Sequence, residues 1–310
     1  MTPLELRPRD IDASYREELL ERWTLTVMTS YDTTRDPAVD VAQANLERRL
    51  TAGVCETFDL VRERDVVGSC LLEPASAASD APWMVSDLHV HDDVAADDIV
   101  SALIRFVQSR GGRALQMSRT DLTDVVARVI ATRPHEVNAT RMLCDLNTHP
   151  SGPASDVELT DMDENEFADF FAGERESYAR SIADSGFATY EEALVESEKQ
   201  LGELMPDGRE TKDQFFYVGR VRGQRVGMLW LCVTSDGGGP RAYVYNVEVD
   251  EPFRGRGHGR GLMLAAEHVA RAHGCRHIGL NVFGFNHVAR ALYESLGYEA
   301  RIELVTIPAT

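Results

Sequence analysis

"YVYNVEVDEPFRGRGHGRGLMLAAEHVARAHG", residues 243–274, runs from an alternating apolar stretch through a knot of glycine and arginine into an apolar repeat of helical period. The alternation predicts a strand, the repeat from Leu262 onward a helix, and Gly274 a left-handed cap just past its end. Between them "FRGRGHGRGL", residues 253–262, places four glycines and three arginines in ten positions. Such a connection suits an anion. Glycines let backbone N–H groups converge, and a helix N-terminus adds positive potential. Arg254, Arg256 and Arg260 concentrate positive charge in a chain whose 32 basic and 51 acidic residues leave it at −19. Two common phosphate loops fail on register. No G-K-[ST] string is present, and G-x-G-x-x-G would need its third glycine at Arg260 or Leu262.

What fits is R-x-x-G-x-G, carried by Arg254, Gly257 and Gly259 behind the strand end "VEVDEPF". A second stretch, "NVFGFNHVARALYESLGYE" (281–299), reads as strand, helix, strand. Asn286 is its N-cap, Tyr293 lies seven residues on along the same helix face, and Gly297 closes the helix. In that order and spacing, the two motifs resemble the GNAT superfamily of acyl-CoA-dependent N-acetyltransferases.

The resemblance implies acetyl-CoA as co-substrate and no metal. It implies that the loop from Arg254 through Gly255, Arg256, Gly257, His258 and Gly259 to Arg260 takes the CoA diphosphate. The preceding strand, at Val247, Glu248 and Val249, then lines the pantetheine and polarises the thioester carbonyl. By the same resemblance Asn286 hydrogen-bonds the pantetheine arm, and the Tyr293 hydroxyl donates a proton to the departing thiolate.

The general base is less plain. Many members of the family place a glutamate nine or eleven residues before the loop's first arginine, where this chain has Tyr245 and Tyr243. Glu248 is the nearest carboxylate, but regular alternation gives it the opposite parity. A water relayed by Tyr245, or an acid near Glu174 and Glu176, are the alternatives. The helical region around those acids walls the acceptor pocket in this family, so Glu174, Glu176, Tyr178 and Trp230 are candidate acceptor contacts beside Tyr245.

The surroundings fit. A chain of 310 residues accommodates two domains, and 43 % hydrophobic residues suffice for ordinary cores. Five scattered cysteines without C-x-x-C spacing point to packed thiols rather than disulfides or zinc. The charged N-terminus lacks a signal-peptide core, and no apolar run approaches the ~18 residues of a membrane helix, so a cytoplasmic protein with no membrane partner is expected. Net acidity argues against nucleic acid and favours a small cationic amine as partner.

"THPSGPASD", residues 148–156, is expected to link domains at 1–147 and 157–310. The second reads helix, helix, three strands, helix, strand, helix, strand. The first repeats it. With Val90 matched to Val249, Arg254 falls on Ala95, Gly257 on Asp98 and Gly259 on Val100; with Val126-Ala127-Arg128 matched to Val288-Ala289-Arg290, Asn286 falls on Asp124 and Tyr293 on Ala131. The matched loop carries Asp92, Asp93, Asp97 and Asp98, carboxylates that would repel a diphosphate. The expected class is therefore α/β: two tandem GNAT-fold domains, each a mixed, mainly antiparallel sheet flanked by helices, with no acyl-CoA site in the first. The expected function is acetyl transfer from acetyl-CoA to a primary amine by direct attack in a ternary complex. The rivals are a non-catalytic acyl-CoA sensor and acetylation of a cysteinyl amine, as in mycothiol synthase, a tandem protein of similar layout.

Overall fold

The computed structural model describes residues 2–76, 78–120, 124–148, 156–184, 188–235 and 239–310. Packing divides the chain into two compact units, Met1–Thr140 with Arg301–Thr310, and Arg141–Ala300. Most of the expected linker, 149–155, lies outside the described residues. The last strand, expected within 157–310, is counted with the first unit.

In the first unit β1 (Glu5–Pro8) leads into helices α1 (Ala13–Tyr31) and α2 (Arg35–Ala52), then β2 (Glu56–Arg62), β3 (Asp65–Pro74) and β4 (Trp83–Val90). Helix α3 (Ala96–Ser109), β5 (Ala114–Arg119), α4 (Asp124–Ile130) and β6 (Glu136–Asp145) follow. The second unit takes 141–145 of β6 and continues with β7 (Glu158–Asp161), α5 (Glu164–Asp184), α6 (Tyr190–Leu204), β8 (Gln214–Val221), β9 (Gln224–Ser235) and β10 (Pro240–Val249). It closes with α7 (His258–Ala272), β11 (His277–Phe283) and α8 (His287–Ser295), before β12 (Glu299–Pro308) returns to the first unit.

The sheet of the first unit runs β1-β2-β3-β4-β5-β12 and that of the second β6-β11-β10-β9-β8-β7. The pairs β4/β5 and β10/β11 are parallel, while β12 lies antiparallel to β5. The expectation that the last strand, "YEARIELVTI" (298–307), belongs with the second half is thus corrected: the place beside β11 is held by β6, and β12 instead runs Glu303 to Pro308 against Arg119 to Ala114. The short strand β7, an edge of four residues, was not anticipated; it pairs with β8 between Glu158–Arg220 and Asp161–Tyr217.

Local rules explain the helices. Thr189 and Glu192 form the capping box of α6, each satisfying the other's backbone N–H. Helix α7 begins four residues before the expected Leu262, with Gly257 as N-cap, so Gly259 and Gly261 belong to its first turn. Its buried residues Leu262, Met263, Ala266 and Ala270 fall on one face and pack into apolar clusters with the sheet strands. The close approach of strands is set by Gly227, which lies opposite Val249; a Cβ there would collide with the Glu248 carbonyl oxygen.

That glycine gives a signed prediction. Gly227→Ala should lower unfolding free energy by about 1–3 kcal/mol in a denaturant titration, because backbone and not a movable side chain obstructs the methyl group. Gly202→Ala, on α6 with open space around it, should instead raise it by up to about 1 kcal/mol.

Candidate active site

The site begins where two parallel strands part. β10 pairs with β11 only from Ala242–Ile278 to Val244–Leu280, whereas its pairing with β9 continues to Val249–Gly227. Past Val244, the β11 side of β10 has no strand partner in register. The expected pantetheine positions Val247, Glu248 and Val249 lie on this stretch. The same strand carries a bulge: Val244 faces Leu231 and Asn246 faces Trp230, leaving Tyr245 as the extra residue. The extra residue reverses parity. Tyr243 is paired with Cys232, Asn246 with Trp230 and Glu248 with Met228, so all three stand on one face of the sheet. Regular alternation put Glu248 on the opposite face from Tyr243; the bulge brings it round, and this corrects the sequence-based parity.

The glycine–arginine loop follows. Gly255 and Gly257 have φ of +73° and +87°, a region side chains with a Cβ avoid, and each opens on free space. Arg254 donates from Nε to the Val249 carbonyl at 3.0 Å and reaches Glu248 Oε1 at 3.3 Å through Nη2. Arg256 lies over the Phe253 ring, and Arg260 hydrogen-bonds Ser295. The first turn of α7 contains no acid, so no carboxylate of the helix itself offsets its positive N-terminus. Asn286 caps α8 by accepting from Ala289 N at 3.1 Å. Tyr293 is buried on α8, and burial pushes its hydroxyl up to about 12.

The most perturbed acid of the region is Glu174, on α5. It is only 8 % exposed, and Asn246 Nδ2 donates to its Oε2 at 2.6 Å. Burial raises its carboxyl to about 7, against the lowering effect of Asn246, and the charge of Glu248 adds to the rise. Glu248 is exposed and sits beside the Arg254 guanidinium. Glu176, one of the expected acids, lies within an exposed ion pair with Arg180 on α5. Of the expected acceptor contacts, Tyr178 is half-buried and donates to Gln200 Oε1 at 2.9 Å, while Trp230 is buried and stacks on Tyr245 at 4.6 Å. Asn246 escaped the sequence reading, since only the bulge turns it toward α5. A buried carboxylate near neutrality, beside backbone N–H groups released by strand parting, can take a proton from a nucleophile attacking a carbonyl. Among the described residues no cluster of three or more His, Cys, Asp or Glu could hold a metal ion, and no helix is long and apolar enough to cross a membrane.

The first unit repeats the backbone with different side chains. β4 parts from β5 after Val85–Met117, a bulge leaves Ser86 extra, and Gly68 lies opposite Val90 where a Cβ would strike the His89 carbonyl. Those positions match Val244, Tyr245, Gly227 and Val249 at the offset read from the sequence. Asp87 then stands where Asn246 does, and Arg22 of α1 grips it at 2.7 Å. Helix α3 opens with Asp97 and Asp98, paired to Arg133 and Arg62. The side chain of Asp124, matched to Asn286, lies outside the described residues.

Residues 176–298 match the model of the acetyltransferase (GNAT) family. The chain is 31 % identical over 141 residues to the uncharacterized N-acetyltransferase YdgE of Bacillus subtilis, a match covering 45 % of this chain and 90 % of that protein. It is also 31 % identical over 135 residues to a mycothiol acetyltransferase of Saccharomonospora viridis, but spans only 44 % of that relative and uses 42 % of its own length. A crystal structure of a GCN5-related N-acetyltransferase from Sphaerobacter thermophilus superposes over 100 % of this chain and 97 % of the other, with a TM-score of 0.56 at 15 % identity, a likeness of fold. Motifs, parted strands and a relative covered almost end to end agree: the chain is an acyltransferase that belongs to the GNAT family of acetyltransferases.

Proposed function

We propose that the second unit moves an acetyl group from acetyl-CoA to a primary amine by direct attack, with Glu174 as general base. The observation that carries this reading is the buried Glu174 carboxyl, raised to about 7 and aimed at the strand that parts from its neighbour. The residues suit an acyl-CoA: a glycine loop with room at Gly255 and Gly257, three arginines, and a helix whose first turn is free of acids. The amine arrives as an ammonium and gives one proton to Glu174. Its nitrogen lone pair then forms the C–N bond to the thioester carbonyl carbon, the backbone N–H groups of Val247 and Val249, on the edge away from β9, stabilise the oxygen's charge, and the C–S bond breaks to a thiolate that takes the nitrogen's second proton, leaving neutral amide and CoA thiol. The Tyr293 hydroxyl faces that thiolate as a hydrogen-bond donor. With its own value near 12, against about 8.5 for an ordinary thiol, complete transfer would be uphill by several kcal/mol.

In this scheme Glu248 does not act as base. Its exposed carboxylate is held by Arg254, and its part is to raise Glu174. A buried acid poised at neutrality has no use in a protein that merely senses acyl-CoA, which favours the catalytic reading. The first unit holds carboxylates at the helix end where the second would hold phosphates, and we assign it no acyl-CoA site.

Three outcomes follow. Arg254→Glu should weaken acetyl-CoA binding at least tenfold by calorimetry, while Asp98→Arg leaves it unchanged; two equivalent sites per chain would contradict the assignment. Tyr293→Phe should lower kcat with little change in acetyl-CoA affinity; full activity would remove the hydroxyl from the mechanism.

For Glu174, kcat/KM should rise with pH through about 7, and Glu174→Gln should lose that limb together with roughly 10²–10⁴ of the rate. Stability moves oppositely. The folded carboxyl titrates above its ordinary 4.5, so the folded chain holds a proton that the unfolded chain releases. Wild type measured against Glu174→Gln should keep that contribution in full below about pH 4.5 and lose about 3 kcal/mol as pH rises through about 7. A flat difference over this window would show an ordinary carboxylate.

A further inference from the structure

A chain of aromatic rings runs along the side of the sheet on which Asn246 holds Glu174. Trp230 stacks on Tyr245 at 4.6 Å and Tyr245 meets Tyr243 edge-on at 4.9 Å, all on the α5 side of the sheet. Tyr178, electrostatically in reach of Tyr243, Tyr245 and Glu174, continues the series to Phe283 at 6.4 Å. Phe283 in turn stacks on Phe285 at 5.7 Å with their planes 4° apart. Two of these rings face solvent, Tyr245 at 38 % exposure and Phe285 at 49 %. Large apolar groups clustered on a surface beside a reactive acid mark a place where a ligand covers them.

Several polar groups of the same face are already engaged. Asn246 gives its amide to Glu174, and Gln200 accepts from Tyr178 while donating to Glu196. The Trp230 indole N–H donates to Gln214 at 2.7 Å, and Glu248 is beside Arg254. A polyamine needs further carboxylates for its second and third charges, and an aminosugar needs donors and acceptors for its hydroxyls. The ring faces themselves meet neither demand. An aromatic body gains from them through offset or edge-on stacking, about 0.5–1.5 kcal/mol per pair beyond area burial.

We infer that the acceptor is a primary amine joined by a short alkyl link to an aromatic body, which lies against Tyr245, Tyr243 and Phe285 while its nitrogen reaches Glu174. This deepens the proposed function and rests on it; it narrows the expected small cationic amine to an arylalkylamine.

The test is thiol release from acetyl-CoA by the full chain with 2-phenylethylamine, spermidine and glucosamine as separate acceptors. Phenylethylamine should show kcat/KM at least about tenfold above both others. Tyr245→Ala and Phe285→Ala should each raise its KM several-fold to tenfold while leaving the KM for acetyl-CoA within about twofold. Preference for spermidine or glucosamine would overturn the inference and leave the acetyltransferase reading standing. So would ring variants that handle phenylethylamine as wild type does. No turnover of any amine despite tight acetyl-CoA binding would overturn both.

Discussion

Everything in the second unit's site depends on β10 leaving β11 after Val244 while staying bound to β9 as far as Val249. A strand bonded on one side only keeps its position yet frees a row of N–H and C=O groups on the other, which a soluble fold ordinarily pairs or covers. The Tyr245 bulge has the second decisive effect. One inserted residue rotates everything after it, so Asn246 and Glu248 join Tyr243 and Trp230 on the α5 side, and Val247 and Val249 pack toward α7 with Leu262. Acid, amide and rings share a face because of that single residue.

Burial then sets the chemistry. An isolated carboxylate taken out of water is costly, and the chain meets that cost with a compromise: Asn246 supplies one strong hydrogen bond, too little to hold Glu174 ionised at its ordinary value. Glu248 shifts the balance further toward the protonated form, while its own charge is met by Arg254 at the threshold of the glycine loop. The result is a carboxyl balanced near neutrality, the condition in which a base both accepts a proton readily and exists in its basic form.

Much of this was legible in the sequence. The loop's glycines, the Asn286 cap and the α7 stripe are local features, and each appears where composition and spacing put it. The expectation that strand and helix alternate in both halves was local as well. What stayed hidden was non-local. A bulge has no fixed residue signature, so Asn246 went unnoticed and Glu248 was given the wrong face. The pairing of β12 with β5 was hidden too, since "YEARIELVTI" reads as a strand whichever neighbour it takes. Glu174 could be listed as an acid on a helix, but its burial arises only when α5 packs onto Asn246 and excludes water from it.

The two units act as an internal control on which features serve shape and which serve chemistry. Both keep the parted parallel pair, the bulge and the glycine that lets β9 or β3 approach the strand beside it. These are backbone devices, and they survive where no acyl-CoA is assigned, so they are requirements of the fold. The side chains at matched positions diverge in sign. Asp87, held by Arg22, stands where Asn246 holds Glu174, and Asp97 and Asp98 at a helix N-terminus replace a turn without acids. A helix end that carries its own carboxylates has satisfied the potential a phosphate would otherwise answer. The parted strands are thus common to both units, and what differs between them is a handful of charges placed on an unchanged frame.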